Sequence, residues 1–156
     1  ELAARYGSQA IVVSIEAKRV NGGWECYTDN GRNRTGLSAV EWSAEVVGRG
    51  AGELLVTSVD RDGTRRGFDV DLIAAIAPNV PVPVTASGGC GSLEHLRSVL
   101  IDGKADAVAV ASALHYGKLT FQEMREAARP LQRSFASPMS EAHLDQGFPK
   151  APASSG

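Results

Sequence analysis

Short β-branched runs alternate with longer helix-periodic stretches along this chain. Four apolar runs predict strands buried on both faces, as in a parallel sheet; they cover residues 10–15, 53–59, 82–86 and 105–110. Segments with apolar residues at helical spacing follow them, and these cover residues 38–49, 69–76, 92–101 and 120–132. Strands that alternate with helices in this way predict βαβ units.

A second pattern interrupts the first unit. Residues 24–28 are interpreted as a strand and lead into Asp29-Asn30-Gly31. Asn-Gly is a strong hairpin signal, because both residues tolerate the positive φ of a tight turn. We therefore expect a small β-excursion between the first strand and the first helix.

The alternation of strands and helices ends at Ser134. From there to Gly156 the composition is dominated by Ser, Ala, Pro and Gly, which bury too little apolar surface to fold. We interpret residues 1–133 as the folded domain and residues 134–156 as a disordered tail.

Four strand–helix units predict a (βα)4 half of a (βα)8 barrel, with parallel strands and outer helices. A complete barrel of this kind takes about 250 residues, whereas the chain has 156. A half barrel leaves unpaired N–H and C=O groups on both outer strands. Two interpretations remain open: a fragment completed by a missing N-terminal half barrel, or a half barrel that assembles with a second copy of this chain.

Composition excludes several partner classes. The net charge of -2, from 16 Lys+Arg against 18 Asp+Glu, gives no reason to expect nucleic acid or an anionic membrane as partner. No segment approaches the roughly 18 apolar residues of a membrane span. The two cysteines, Cys26 and Cys90, lack CxxC spacing, and a reduced cytoplasmic setting is the simplest interpretation.

Candidate chemistry lies where the predicted strands end, because functional groups collect at the carboxyl ends of parallel strands. The residues at these ends are polar or small, namely Glu16, then Asp60, Asp62 and Gly63, then Ser87, Gly88 and Gly89, then Ala111 and Ser112. Two consecutive small-residue loops favour phosphate binding through backbone N–H groups and the Ser112 hydroxyl. Taken alone, the Ser87–Gly91 loop is equally consistent with a tight strand-to-helix turn.

Structural interpretations of the same residues stay open at this point. The Asp60–Gly63 turn either binds a ligand or holds an internal surface ion pair. It is a poor metal site, because no third carboxylate or His lies at ligand spacing, and we expect no metal and no cofactor. Taken alone, Glu16 is better interpreted as a structural charge in the barrel interior that pairs with Lys18 or Arg19.

Several stretches together resemble the cyclase subunit of imidazole glycerol phosphate synthase, a family of histidine biosynthesis. They follow the family's order and spacing across residues 2–133, and they are Tyr6–Gln9, Ile15–Val20, Thr57–Thr64, Ala86–Gly89 and Ala111–His115. The resemblance covers strands five to eight of the family's barrel. It implies a lyase reaction in which ammonia and a phosphoribulosyl-formimino aminoimidazole carboxamide ribotide give imidazole glycerol phosphate and aminoimidazole carboxamide ribotide.

The resemblance also implies two aspartates as general acid and base, at the ends of the first and fifth barrel strands. The second falls on position 16, where this chain has Glu. Glu16 moves the acid by about 1.5 Å, the length of one C–C bond. Misplacement of about 1 Å costs on the order of 10²-fold in rate, so we expect slower catalysis unless the backbone compensates.

Other residues carry over from the family. The resemblance implies that one substrate phosphate is held at Asp62, Gly63, Gly89, Ala111 and Ser112, in a cavity also lined by Thr57 and Ser87. Glu53 corresponds to a charged residue around the bottom of the barrel, where ammonia enters from a glutaminase partner. In isolation, a structural ion pair is an equally good interpretation of Glu53.

Three hypotheses follow. The first is a cyclase half-domain that is inactive alone and active when completed. The second is a non-catalytic, self-associating half barrel that binds phosphate esters. The third is a related phosphoribosyl isomerase, which acts on the precursor of the cyclase substrate without ammonia.

Overall fold

The computed structural model describes residues 1–131, so the predicted tail at 134–156 lies outside the described residues. The strands are β1 (Val12–Val20), β2 (Gly23–Thr28), β3 (Asn33–Ser38), β4 (Glu53–Ser58), β5 (Val84–Ser87) and β6 (Ala107–Ala109). The helices are α1 (Leu2–Tyr6), α2 (Ala39–Gly48), α3 (Val70–Ile76), α4 (Leu93–Ile101), α5 (Ser112–His115) and α6 (Phe121–Ala128).

All six strands of this region form one sheet in the order β3-β2-β1-β4-β5-β6. β1, β4, β5 and β6 run parallel to one another, and β2 and β3 add an antiparallel extension beside β1. The predicted parallel α/β architecture is therefore confirmed, as is the β-excursion in the first unit.

The first strand is longer than the sequence pattern predicts. β1 runs to Val20, because its second half pairs antiparallel with β2, from Glu16 opposite Tyr27 to Val20 opposite Gly23. The apolar run that predicted the strand covers only the half that pairs in parallel with β4. The polar half is a strand only because a hairpin folds back onto it.

Three strands are shorter than predicted, and β4 ends at Ser58 instead of residue 59. β5 begins at Val84 instead of residue 82, since the preceding Pro83 has no N–H to donate to a neighbouring strand. β6 covers Ala107–Ala109 of the predicted 105–110. These changes leave the strand ends, and so the candidate site, where the pattern placed them.

Side-chain caps begin four of the helices. Ser38, Asp69, Ser92 and Thr120 each accept a hydrogen bond from the backbone N–H three residues on. Such caps satisfy donors that have no partner within the helix. The cap of α3 is Asp69.

Helices cover one face of the sheet. Ile15, Leu54, Val56 and Val84 are buried there, in a core shared with helix residues such as Leu72, Ile76 and Val99. Since side chains alternate across a strand, the residues between them point to the opposite face. That helix-free face corresponds to the interior of a barrel, and its upper end holds the candidate site.

Candidate functional site

One row of side chains crosses the helix-free face near the carboxyl ends of the parallel strands. Glu16 lies opposite Thr57, Thr57 opposite Ser87, and Ser87 opposite Ala109. Partners in neighbouring parallel strands point to the same face, so the row spans about 14 Å over three strand spacings. The structure thus places the predicted acid and two predicted cavity residues side by side.

A cavity of about 150 Å³ opens at the β5–β6 end of this row. The residues that line it come from three loops, and they are Asp62, Ser87, Gly88, Gly89, Cys90, Ala109, Val110, Ala111 and Ser112. Pockets that enclose a whole small-molecule ligand have volumes from about 300 Å³ upward. This cavity is therefore large enough for one end of a ligand, such as a single phosphate group.

Five of the predicted binding residues meet at this cavity: Asp62, Ser87, Gly89, Ala111 and Ser112. The other two are not among its lining residues. Gly63 continues the turn beyond Asp62 with a φ of 71°, and Thr57 lies in the side-chain row. The binding role of all seven residues stays a prediction.

The two central glycines are required by backbone packing. Gly88 and Gly89 have φ values of 88° and 101°, which residues other than glycine rarely adopt. A Cβ on Gly89 would overlap the carbonyl oxygen of Gly67, and one on Gly88 would lie 2.8 Å from the Ser58 carbonyl oxygen. The Gly67 N–H also donates to the Gly89 carbonyl at 2.8 Å. Two loops therefore pack backbone to backbone and shape the cavity wall.

The cavity is lined by backbone and small side chains, and its ionisable groups are Asp62 and Cys90. Cys90 is 4% exposed, and burial raises the pKa of its thiol. The thiol is therefore neutral at pH 7 and adds no negative charge beside an anion. Among residues 1–131 no cationic side chain lines the cavity, so anion binding there would depend on backbone N–H groups and the Ser112 hydroxyl.

Glu16 is held by backbone, not by a cation. The Gly31 N–H donates to Glu16 Oε2 at 2.9 Å. Lys18 instead places its Nζ 4.8 Å from the centre of the Tyr27 ring, and Arg19 binds Asp69 and Asp71. The interpretation of Glu16 as a partner of Lys18 or Arg19 is therefore wrong.

Two other structural interpretations, an ion pair within the Asp60–Gly63 turn and an ion pair of Glu53, are also not found within residues 1–131. Asp60 accepts a hydrogen bond from the Arg19 N–H at 2.8 Å, and no ion pair joins Asp60 or Asp62 to Arg61 in this region. Glu53 accepts a hydrogen bond from Thr85 Oγ1 at 2.8 Å, with no ion pair among the described residues. Glu53 begins β4, at the opposite end of the face from Glu16, and its ammonia role stays a prediction.

Two polar clusters hold the hairpin that carries Gly31. The Arg34 guanidinium donates hydrogen bonds to both carboxylate oxygens of Glu25, with one N–O distance of 2.6 Å. The Gly36 N–H donates to the same carboxylate at 2.9 Å. At the base, buried Asp69 accepts from Trp24 Nε1 at 3.0 Å and from Arg19 at 3.2 Å. The hairpin is thus fixed to itself and to the start of α3.

The Glu25 cluster predicts an acid-sensitive hairpin. The hydrogen bond from Arg34, and then the one from the Gly36 N–H, hold the pKa of Glu25 below its usual range. A depressed carboxylate pKa adds stability that is present at neutral pH and is lost as pH falls through the folded-state pKa. We expect urea unfolding, followed by the fluorescence of Trp24 and Trp42, to show a smaller loss of stability between about pH 7 and pH 3 in Glu25→Gln than in the wild type.

Glu45→Gln is the matched control, because Glu45 forms an exposed pair with Arg49 on α2. It should lose as much stability on acidification as the wild type does. An equal pH dependence for Glu25→Gln and the wild type would contradict the assignment of this cluster.

Two further properties of the described region are relevant. Residues 1–131 contain no group of three or more His, Cys, Asp or Glu side chains placed to hold a metal ion. None of the helices in that span has the length and apolar character needed to cross a membrane.

Comparison with known proteins gives two findings. A family model described as "Histidine biosynthesis protein" matches residues 1–120. Imidazole glycerol phosphate synthase subunit HisF of Trichormus variabilis is 51% identical over 132 residues, which make up 82% of this chain and 51% of that subunit. The chain therefore spans about half the length of the curated relative it matches.

Proposed function

The chain belongs to the histidine biosynthesis protein family, and from this premise we propose that it is the C-terminal half-domain of an imidazole glycerol phosphate synthase cyclase. In the proposed reaction, ammonia and a phosphoribulosyl-formimino aminoimidazole carboxamide ribotide give imidazole glycerol phosphate and aminoimidazole carboxamide ribotide. The observation that carries the proposal is the row from Glu16 through Thr57 and Ser87 to a phosphate-sized cavity. It supports an acid–base group and an anion site on one open face.

The cavity would hold one phosphate of the substrate. Gly89 and Ser112 line it, and their backbone N–H groups and the Ser112 hydroxyl are the proposed donors, since such groups bind anions without a cationic side chain. Asp62 lies at the same wall and would repel a phosphate, so its proposed role is to bind a hydroxyl of the ligand. Thr57 and Ser87 would lie beneath the middle of the substrate.

Glu16 would move the protons. Addition of ammonia, ring closure and cleavage each require a proton to be taken up or delivered, which a carboxylate at a strand end can do. One Glu16 oxygen accepts from the Gly31 N–H, and the other would exchange the proton. Glu16 lies two strand spacings, about 10 Å, from Ser87 at the cavity, which leaves room for the substrate between them.

The remaining parts of the proposed enzyme come from partners. A first half barrel would close the open face and supply the second phosphate site and the other acid. A glutaminase subunit would supply ammonia at the end of the face where Glu53 lies. We place this assembly in the cytoplasm.

A second candidate function rests on the substitution at position 16. A self-associating half barrel that only binds phosphate esters would need the cavity. It would not need an acidic side chain of the length of Asp at position 16. Glu in place of Asp favours this candidate to the extent that it weakens catalysis. A phosphoribosyl isomerase would also use the cavity, but it would not require ammonia.

One experiment separates the three functions. The chain is co-expressed with the remaining half of the Trichormus subunit, and the purified complex is incubated with the cyclase substrate or with its precursor, with and without ammonium chloride. The cyclase forms imidazole glycerol phosphate only from the first substrate and only with ammonium. Conversion of the precursor without ammonium indicates an isomerase, and binding without any turnover indicates the binding module.

A further inference from the structure

The tip of the β2–β3 hairpin folds back onto the carboxyl half of β1. Although 15 residues separate Gly31 from Glu16 in sequence, the Gly31 N–H lies 2.9 Å from Glu16 Oε2. A hydrogen bond from a backbone donor to a charged carboxylate is among the stronger ones in proteins. The hairpin turn therefore orients the carboxylate from outside its own strand.

A side chain at position 31 would disturb this contact. Gly31 is buried and has a φ of 75°. A Cβ there would overlap Val59 Cγ1 and would lie 3.1 Å from Val59 Cγ2 and 3.2 Å from Lys18 Cε. A side chain at this position would push the turn, and with it the N–H, away from Glu16.

The turn is held independently of Glu16. Arg34 and Glu25 pair across β2 and β3, and Trp24 and Arg19 bind Asp69 at the start of α3. The Gly31 N–H is therefore a preorganised donor, which does not have to be ordered when the carboxylate arrives.

We propose that Gly31 is a positioning residue for Glu16, an inference that rests on the proposed cyclase function. The additional methylene of Glu16 brings its carboxylate to the turn, and the Gly31 N–H fixes one oxygen there. An Asp on the same backbone would end about 1.5 Å short, outside the range of about 2.7–3.2 Å for a hydrogen bond. The hairpin thus compensates for the longer acid at position 16.

A double-mutant cycle tests this proposal in the completed barrel, which is the complex of this chain with the remaining half of the Trichormus subunit. We expect Gly31→Ala to lower kcat by about 10- to 100-fold with KM changed less than about threefold, because misplacing the acid affects turnover and not binding. Glu16→Asp should also lower kcat. In the Glu16→Asp background, Gly31→Ala should lower kcat further by less than about threefold, because the contact with the Gly31 N–H is already lost.

Two further variants separate positioning from general damage. Gly22→Ala adds a methyl at another hairpin glycine of positive φ, 89°, with open space around it, and it should leave kcat unchanged. Gly31→Ala with Val59→Ala removes the clash with Val59 but not the strain of the positive φ, and it should regain part of the lost turnover. If Gly31→Ala lowers kcat by the same factor in both backgrounds, or if Glu16→Asp raises kcat, the inference is wrong.

An amide measurement does not depend on activity. In the completed barrel with nitrogen-labelled glycine, the Gly31 amide should exchange about tenfold faster in Glu16→Asp than in the wild type, whereas the Gly36 amide should not change. An unchanged Gly31 amide in an active barrel overturns this inference alone. A folded wild-type barrel without cyclase turnover overturns the proposed function, and positioning for catalysis with it, whatever the amide shows.

Discussion

Glu16→Gln is expected to abolish most of the cyclase turnover of the completed barrel. General acid–base catalysis contributes about 10²- to 10⁴-fold, so kcat should fall within that range. Gln keeps the length of the side chain and still offers an oxygen to the Gly31 N–H, so the fold and KM should change little. Steady-state kinetics at saturating ammonium would measure both constants.

Glu41→Gln is the control for this substitution, because Glu41 is an exposed residue in the first turn of α2. Its kinetics should match those of the wild type. Retention of more than about a tenth of the wild-type kcat by Glu16→Gln would contradict the assignment of Glu16 as the acid–base group.

The second large effect is expected at the cavity wall. Gly89→Ala forces a methyl group against the Gly67 carbonyl at a φ of 101°, so the loop must move, and the donor proposed at Gly89 would move with it. Loss of one hydrogen bond to a charged group costs about 1.5–3 kcal/mol, which corresponds to an increase in KM of about 10- to 100-fold. The variant's thermal midpoint should also fall.

A companion variant keeps this prediction testable if Gly89→Ala does not fold. Ser112→Asp adds a carboxylate to the same wall without changing the backbone of either glycine, and it should raise KM through charge repulsion. Gly117→Ala is the control, since its φ is 61° and a Cβ there meets open space. Wild-type KM values in folded Gly89→Ala and Ser112→Asp would show that the cavity does not bind the substrate.

Local signals explain what could be predicted from the sequence. Ser38, Ser92 and Thr120 cap helices through contacts within three residues, so the sequence around each cap was sufficient. The cavity residues were predictable for a topological reason. Consecutive parallel strands end at one edge of the sheet, which brings the turns at Asp62, Gly89 and Ser112 together.

The contacts of Glu16 were not predictable in this way. Gly31 is 15 residues from Glu16, and Asp69 is 50 from Arg19, so both contacts depend on how the hairpin folds back. The charges of Lys18 and Arg19 beside Glu16 pointed to a local ion pair. However, Arg19 points to the opposite face of β1 from Glu16 and reaches Asp69 and Asp71. Lys18 shares the face of Glu16, but its Nζ lies over the Tyr27 ring. The Asn-Gly signal located the turn but carried no information on where its N–H points.

The most direct test of the proposed function is a titration of the remaining half of the Trichormus subunit with this chain. The initial rate of imidazole glycerol phosphate formation is measured at saturating ammonium, and complex formation is followed by size-exclusion chromatography. The proposed function predicts that the rate rises with added chain and levels off at one chain per half barrel. The Glu16→Gln chain should form the same complex without forming product at that rate. A stable one-to-one complex of the wild-type chain that forms no product would contradict it.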